Sequence, residues 1–209
     1  MLYNYDILLQ RMVAYMNRNK IILDLCGGTG AWSKFYKDNG YDVRNITIPG
    51  YDVRTYTPPD NVYGILASPP CTEFAVSGAR WWKDKDPKLL KEALEIFDAC
   101  MNMINICTPH FWALENPVGR LKKLRYEVLR EPTLIFHPYE YGDAYTKKTL
   151  IWGKFNIPEK NEVKPEYMVS KKGYRYSPIA RWFSNKEERQ KVRSITPHGF
   201  AKAFYEANK

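Results

Sequence analysis

The chain has 209 residues, enough for one domain or for one domain with a small insertion. Its 44% hydrophobic residues suffice for an ordinary core and exclude a disordered chain, and no apolar run approaches the roughly 18 residues that a membrane helix needs. The N-terminus lacks the pattern of a signal peptide, and the 4 cysteines form no CxxC pair. We therefore expect a cytoplasmic protein without a membrane span or a metal site.

The balance of charge favours a polyanionic partner. Lys and Arg number 32 against 23 Asp and Glu, which gives a net charge of +9. Aromatic residues make up 15% of the chain, and nucleic-acid bases stack on exposed rings. We expect the chain to bind nucleic acid, and to do so as a monomer.

Hydrophobic spacing predicts strands that alternate with helices. In chain order we predict a helix over 2–17, a strand over 21–25, a helix from 31 closed by Gly40, strands over 41–48 and 62–67, a helix over 86–107, a strand over 111–114, a basic helix over 118–129, strands over 133–136 and 149–152, and a closing helix over 197–208. This alternation indicates an α/β fold with a doubly wound, mostly parallel sheet and helices on both faces. In such sheets ligands bind beyond the carboxyl ends of the strands.

Residues 154–192 differ in composition from the rest of the chain. Basic side chains outnumber acidic ones there, and aromatic residues such as Trp182 and Phe183 are interleaved with the charges. A solvated, loop-rich excursion is one interpretation. We favour a small recognition region that contacts nucleic acid. It would separate a catalytic core over 1–153 from a C-terminal segment over 193–209 that returns to the core.

The first motif, Asp24–Gly30, has the sequence DLCGGTG and follows the first strand. Glycines let the backbone approach a ligand closely, and the helix that follows presents free N–H groups. Such a loop suits a dinucleotide or S-adenosylmethionine, although the spacing is not GxGxxG. The alternative is a tight turn without a ligand.

The second and third motifs also follow strands. Cys71 comes after two prolines, whose stiff, extended backbone would aim its thiol at a substrate. Cys26, Cys100 and Cys107 are instead expected to be small core residues. Glu115 ends an apolar strand, so desolvation should raise its pKa and suit it to donate or share a proton. A solvated glutamate beside a helix-capping Asn116 is the alternative.

Together these motifs resemble the DNA (cytosine-5)-methyltransferases, and the short chain is similar to small phage-type or stand-alone members. The matching segments, in the family's order, are Asp24–Gly30 for the cofactor loop, Asp52–Arg54 for the acidic position, Pro69–Cys71 with Phe74 and Gly78 for the nucleophile, Glu115–Asn116 for the glutamate motif, Tyr141–Gly153 for the basic strand and Arg193–Ala201 for the closing segment. Each is weak or moderate alone, whereas the ordered set is specific.

The resemblance implies a methyltransferase-type fold and methyl transfer from S-adenosylmethionine to carbon 5 of a flipped cytosine in DNA, through a Cys71 adduct at carbon 6. The implied catalytic residues are Cys71, Glu115, Asn116 and Lys147. The implied cofactor contacts are Asp24, Cys26, Gly28, Gly30, Trp32, Asp52 and Pro70. The expected nucleic-acid contacts are Arg80, Trp81, Trp82, Lys83, Lys148 and Arg193.

Some positions depart from the family. Cys26 replaces an aromatic residue, so adenine stacking would pass to Trp32, and Thr47 stands where an acid is expected. Lys147, or Lys148 one residue on, replaces an arginine and supplies charge without a bidentate fork.

Three alternative functions remain open at this point. The chain could act on cytosine in tRNA, methylate an amino nitrogen, or bind nucleic acid without catalysis. The small region over 154–192 favours short or relaxed sequence specificity.

Overall fold

A computed structural model of the protein describes residues 3–180 and 185–209. The helices are α1 (Tyr3–Asn17), α2 (Lys34–Asp38), α3 (Pro87–Cys107), α4 (Leu121–Leu124), α5 (Lys186–Ser194) and α6 (His198–Ala207). The strands are β1 (Ile21–Leu25), β2 (Asp42–Ile46), β3 (Val62–Ala67), β4 (Phe111–Pro117), β5 (Leu134–Phe136), β6 (Thr149–Lys154), β7 (Met168–Val169) and β8 (Arg175–Tyr176). Trp182 and Phe183, expected to contact nucleic acid, lie outside the described residues.

The main sheet of the described chain has six strands in the order β2-β1-β3-β4-β6-β5. The first four are parallel, and β6 lies antiparallel between β4 and β5. The carboxyl ends of β1, β3 and β4 therefore share one edge with the beginning of β6. The predicted mostly parallel α/β sheet is confirmed.

Alternate residues along each strand enter different cores, as the two-residue period of a strand requires. Ile65 and Ala67 of β3 pack with α3, while Leu66 between them packs with α2 and α6. Helices thus cover both faces of the sheet, and this double winding was also predicted. Both faces being buried explains why the strands are continuous apolar runs.

The long basic helix predicted over 118–129 is wrong, since only Leu121–Leu124 is helical. The main-chain carbonyl of Val118 accepts from Val76, and the N–H of Arg120 donates to Phe74. These groups are committed to a neighbouring loop, so a helix can begin only after Arg120.

The C-terminal helix returns to the sheet. Phe200 and Phe204 of α6 are fully buried in the core that also holds Trp32. Gly199 lies so close to Tyr141 that a β-carbon there would sit 1.7 Å from the carbonyl oxygen. Two of the predicted motif segments, around Gly142 and Gly199, are therefore in direct contact.

The region over 154–192 contains little regular structure in its described part. A two-stranded hairpin of β7 and β8 is followed by a short 3-10 helix over Pro178–Ala180 and by α5. No helix among the described residues is both long and apolar enough to cross a membrane.

Candidate active site

The predicted nucleophile and glutamate lie on adjacent segments at the carboxyl edge of the sheet. Cys71 follows β3, and Glu115 lies near the end of β4, which pairs directly with β3. Lys147 precedes β6, whose first residue pairs with Pro117 of β4. The inverted β6 therefore brings a cation from a distant part of the chain to the end of β4.

Glu115 is held in a desolvated position facing one cation. Its carboxylate Oε1 lies 3.9 Å from the Nζ of Lys147 and has no hydrogen-bond partner within the described chain. Burial raises the pKa of Glu115, and the positive charge of Lys147 opposes that rise. The raised pKa predicted for this carboxyl is confirmed, so Glu115 is suited to carry a proton.

The pKa of Cys71 reflects the same cluster. Burial raises the pKa of the thiol and the charge of Glu115 raises it further, while Lys147 and Arg193 lower it. Four groups from four segments thus act on one another. A proton on Glu115 would remove the negative charge that, together with burial, disfavours the Cys71 thiolate.

The structure distinguishes between the two neighbouring lysines. Lys147 is half-buried and pairs with Glu115, whereas Lys148 is exposed and acts on His137, whose pKa it helps to lower. Successive side chains at the start of a strand point to opposite sides. Lys147 is therefore the one of these two lysines that lies beside Glu115.

Asn116 links the Glu115 segment to the segment that precedes Cys71. Its side chain is fully buried, and its Nδ2 donates to the main-chain oxygen of Pro69 at 3.1 Å. This bond fixes the first proline of the nucleophile motif against the glutamate motif, so Asn116 has a positioning role here.

A pocket lies beside these residues, and several segments of the chain line it. Its cavity volume is only about 10 Å3, which is room for about one water molecule. Its walls include Glu115, Lys147, Trp32 of the glycine-loop segment and Thr196 of the closing segment.

The glycine loop is built around a buried carboxylate. Asp24 is fully buried, accepts from the hydroxyl of Ser33 at 2.5 Å, and has one oxygen, Oδ1, without a partner among the described residues. A β-carbon on Gly27 would lie 2.3 Å from Cγ of Asp24, so only glycine fits there. Gly28 and Gly30 both have positive φ, and open space lies beside Gly28. The loop is thus shaped for close approach of a ligand to its backbone.

Several predicted cofactor contacts are otherwise engaged. Trp32 is 2% exposed and packs against Phe200 and Phe204, so it has no free face on which a base could stack. The carboxylate of Asp52 is held by Arg54 at 2.5 Å, which also lowers its pKa. Pro70, in contrast, is exposed at the site.

Sequence reasoning missed Asn45 beside the glycine loop. Its Nδ2 donates to the carbonyl of Gly28 at 3.0 Å, while its Oδ1 is buried without a partner in the described chain. Its position on β2 could have suggested this, because β2 pairs with β1 in parallel and ends at the same edge. Cys26 lies at positive φ with its sulfur 4.0 Å from that of Cys100.

The segment after the nucleophile forms a 3-10 helix over Val76–Trp81. Trp81 is 49% exposed and carries the guanidinium of Arg80 at 4.1 Å from its ring. Trp82 is half-buried beneath Arg120, and Lys83 is exposed. Trp81 is therefore not packed into the core. Arg193 is exposed at the end of α5.

Comparison with known proteins agrees with the motif resemblance. No protein-family model matches the chain. The chain is 27% identical over 124 residues to the type II methyltransferase M.DdeI of Desulfomicrobium norvegicum, a match that covers 48% of this chain and 28% of that protein. It thus spans less than a third of the relative's length.

A solved structure assigned as a DNA modification methyltransferase encoded within an E. coli prophage is 14% identical, with a TM-score of 0.42, covering 65% of this chain and 46% of that one. The fold class rests on the strand order rather than on this likeness. The resemblance predicted from the motifs is confirmed as a similarity to a type II methyltransferase.

Proposed function

We propose that this protein transfers a methyl group from S-adenosylmethionine to carbon 5 of cytosine in DNA, through a covalent Cys71 adduct at carbon 6. The observation that carries the proposal is the cluster of Cys71, Glu115 and Lys147 at the carboxyl edge of the sheet. A thiol, a carboxyl with a raised pKa and a cation are the groups that activation of a pyrimidine ring requires.

In the proposed mechanism Cys71 attacks first. Carbon 5 of cytosine is a poor nucleophile, and a bond from the Cys71 sulfur to carbon 6 turns the ring into an enamine. Glu115 donates its proton to ring nitrogen 3 as the electrons move there, and Lys147 stabilises the carboxylate that results. When carbon 5 has taken the methyl group from the sulfonium, which leaves a neutral thioether, nitrogen 3 returns its proton to the Glu115 carboxylate. A base such as water then takes the proton of carbon 5, the Cys71 sulfur leaves as a thiolate, and the double bond of the ring re-forms.

The raised pKa of Glu115 fits its role as a proton donor, whereas the raised pKa of Cys71 means that its thiolate depends on the positive charges of Lys147 and Arg193. The Cys71 thiol is disfavoured as a thiolate by burial and by the charge of Glu115. A protonated Glu115 removes the second effect, so the reactive combination is a thiolate beside a carboxylic acid. Burial raises the pKa of Glu115 and thereby favours this combination.

The glycine loop fits S-adenosylmethionine. The group supplies an electrophilic methyl on a sulfonium. Asp24 and Asn45 each offer a buried oxygen without a partner in the described chain, and Gly28 leaves open space for a ligand. These residues, with Gly30, would hold the cofactor. Because Trp32 is buried and Asp52 is paired with Arg54, we do not assign the adenine to them.

The DNA would approach the face that carries the 3-10 helix after Cys71. In a duplex the target base lies in the stack and must be turned out, at a cost of a few kcal/mol. Exposed Trp81 with its stacked Arg80, and exposed Lys83, can contact the strand there. We extend the proposal to a catalytic core over 1–153, a reduced recognition region over 154–192 and a returning segment over 193–209, with short or relaxed site specificity.

The decisive experiment is mass spectrometry of nucleosides after incubation with S-adenosylmethionine and either DNA or total tRNA. Wild type is compared with Cys71→Ala and with Cys107→Ala, a matched control because Cys107 is half-buried at the far end of α3. We expect 5-methyldeoxycytidine from wild type and the control only. Methyl on an amino nitrogen would contradict the mechanism, and product from tRNA alone would replace DNA with RNA as the substrate.

A nucleic-acid-binding module without catalysis is the second candidate. One observation favours it, since Arg54 already occupies the carboxylate of Asp52. Calorimetry with S-adenosylmethionine separates the two functions. Binding of the cofactor supports the enzyme, whereas tight DNA binding without cofactor binding supports the module.

A further inference from the structure

Residues 73–76 of the loop that carries Cys71 are fastened to residues 118–120, the segment that follows Glu115 and β4 and that we call the glutamate loop. Val76 donates its main-chain N–H to Val118 at 2.8 Å, and Ala75 forms a β-bridge with Gly119. A β-carbon on Gly119 would lie 1.9 Å from the carbonyl oxygen of Phe74, so the two backbones are in contact. This close approach requires glycine at residue 119.

Arg120 is the centre of this attachment. Its main-chain N–H donates to the carbonyl of Phe74 at 2.9 Å, and its side-chain Nε donates to the carbonyl of Glu73 at 2.7 Å. Its guanidinium also lies over the ring of Trp82, 4.4 Å from the centroid. One residue thus holds both ends of the segment that follows the nucleophile.

Lys85 is a second cation that binds the loop after Cys71. Lys85 pairs with the carboxylate of Glu73 at 2.7 Å and donates to the carbonyl of Thr72 at 3.1 Å. Glu73 is 8% exposed, so this pair is largely removed from water. Loops after parallel strands normally have few such cross-links and are the mobile parts of a fold.

Resting on the proposed function, we propose that Arg120 is a positioning residue that locks the nucleophile loop to the glutamate loop, so that Cys71 and Glu115 are held in a fixed relation before the substrate binds. Arg120 touches neither reacting atom. Its side chain acts through the carbonyl of Glu73, a bond that Arg120→Ala removes while the main-chain bond to Phe74 remains. Because catalysis depends steeply on the placement of reacting groups, a loose loop would slow the reaction while leaving cofactor binding intact.

The test compares Arg120→Ala with Arg125→Ala. Arg125 is the matched control, because it loses the same charge from the same short segment but pairs with Asp98 of α3, away from Cys71. Arg120→Lys is the conservative variant, since a lysine keeps the positive charge but loses the planar guanidinium that lies over Trp82. Thermal unfolding of each variant shows whether it is folded.

The first readout does not depend on activity. Alkylation of Cys71 by N-ethylmaleimide is followed by peptide mass spectrometry, with Cys107 as an internal standard. The released loop should expose the thiol, so the rate at Cys71 should rise severalfold or more in Arg120→Ala, less in Arg120→Lys and not in Arg125→Ala. An unchanged rate at Cys71 in folded Arg120→Ala would overturn the lock, whether or not the protein is a methyltransferase.

The second readout uses turnover. If the proposed function holds, Arg120→Ala should lose roughly 10- to 100-fold in kcat with little change in KM for S-adenosylmethionine. Opposite changes, faster alkylation and slower turnover, are the signature of lost positioning. A uniform loss of alkylation and turnover, or a kcat equal to that of Arg125→Ala, would contradict the role. Failure of methylation in wild type would instead refute the proposed function and leave the alkylation result as the test of the lock.

Discussion

Replacement of Asp24 by asparagine should make the protein relatively more stable as the pH rises. Burial raises the pKa of Asp24 from 3.8 to about 6, against the lowering effect of Ser33. The folded state therefore binds more protons at this site than the unfolded state, and stability falls as the pH increases through this range. One unit of pKa corresponds to about 1.4 kcal/mol, so the ionised, buried carboxylate costs about 3 kcal/mol near neutral pH.

The asparagine cannot ionise, and its Oδ1 still accepts from Ser33. Between about pH 5 and about pH 8, the linkage relation predicts that Asp24→Asn gains about 1.4 kcal/mol in free energy of unfolding relative to wild type. The new side chain also buries an amide NH2 group without a hydrogen-bond partner. That cost lowers the free energy of unfolding of the variant by the same amount at both pH values. The difference between the two pH values isolates the titration.

Urea unfolding of both proteins at the two pH values measures this difference. Asp52→Asn is the control, because Arg54 lowers the pKa of Asp52 and the carboxylate stays ionised across the range. Its difference from wild type should not change between about pH 5 and about pH 8. Parallel behaviour of Asp24→Asn and wild type would refute the raised pKa.

Three further predictions concern the two fastened loops and the charges between them. Gly119→Ala places a β-carbon 1.9 Å from the carbonyl of Phe74, so urea unfolding should show a loss of about 1–3 kcal/mol, and no loss would mean that the loops separate easily. Lys147→Met removes the charge that lowers the pKa values of Cys71 and Glu115, so alkylation of Cys71 should require higher pH, and an unshifted pH profile would contradict the cluster. Glu115→Gln removes the charge that raises the pKa of Cys71, so this variant should alkylate Cys71 at lower pH yet form no methylated product, and full turnover would exclude Glu115 as the proton donor.

The local signals in the sequence were enough for the order of elements and for the motifs at strand ends. The bounds predicted for the strand over 62–67 match the structure, and the helix predicted over 86–107 begins one residue later, because apolar spacing and the Asp86-Pro87 start are properties of neighbouring residues. Parallel strands bring their carboxyl ends to one edge, so placing Cys71 and Glu115 together also followed from the pattern.

The failures occurred where a residue's partner is distant along the chain. The helix predicted over 118–129 was lost to main-chain bonds with residues near 75. Trp32 is buried because it packs against two phenylalanines of α6. None of these contacts leaves a mark in local spacing.

The sequence by itself determined the α/β class, the strand-end motifs and the chemistry of the groups they carry, because those depend on composition and short-range periodicity. Only the tertiary structure decided that Lys147 rather than Lys148 faces Glu115, since the register of antiparallel β6 against β4 sets which side each residue points to. It alone joined Arg120 to the loop of Cys71, because hydrogen bonds between residues 47 positions apart exist only once both strands have entered the same sheet.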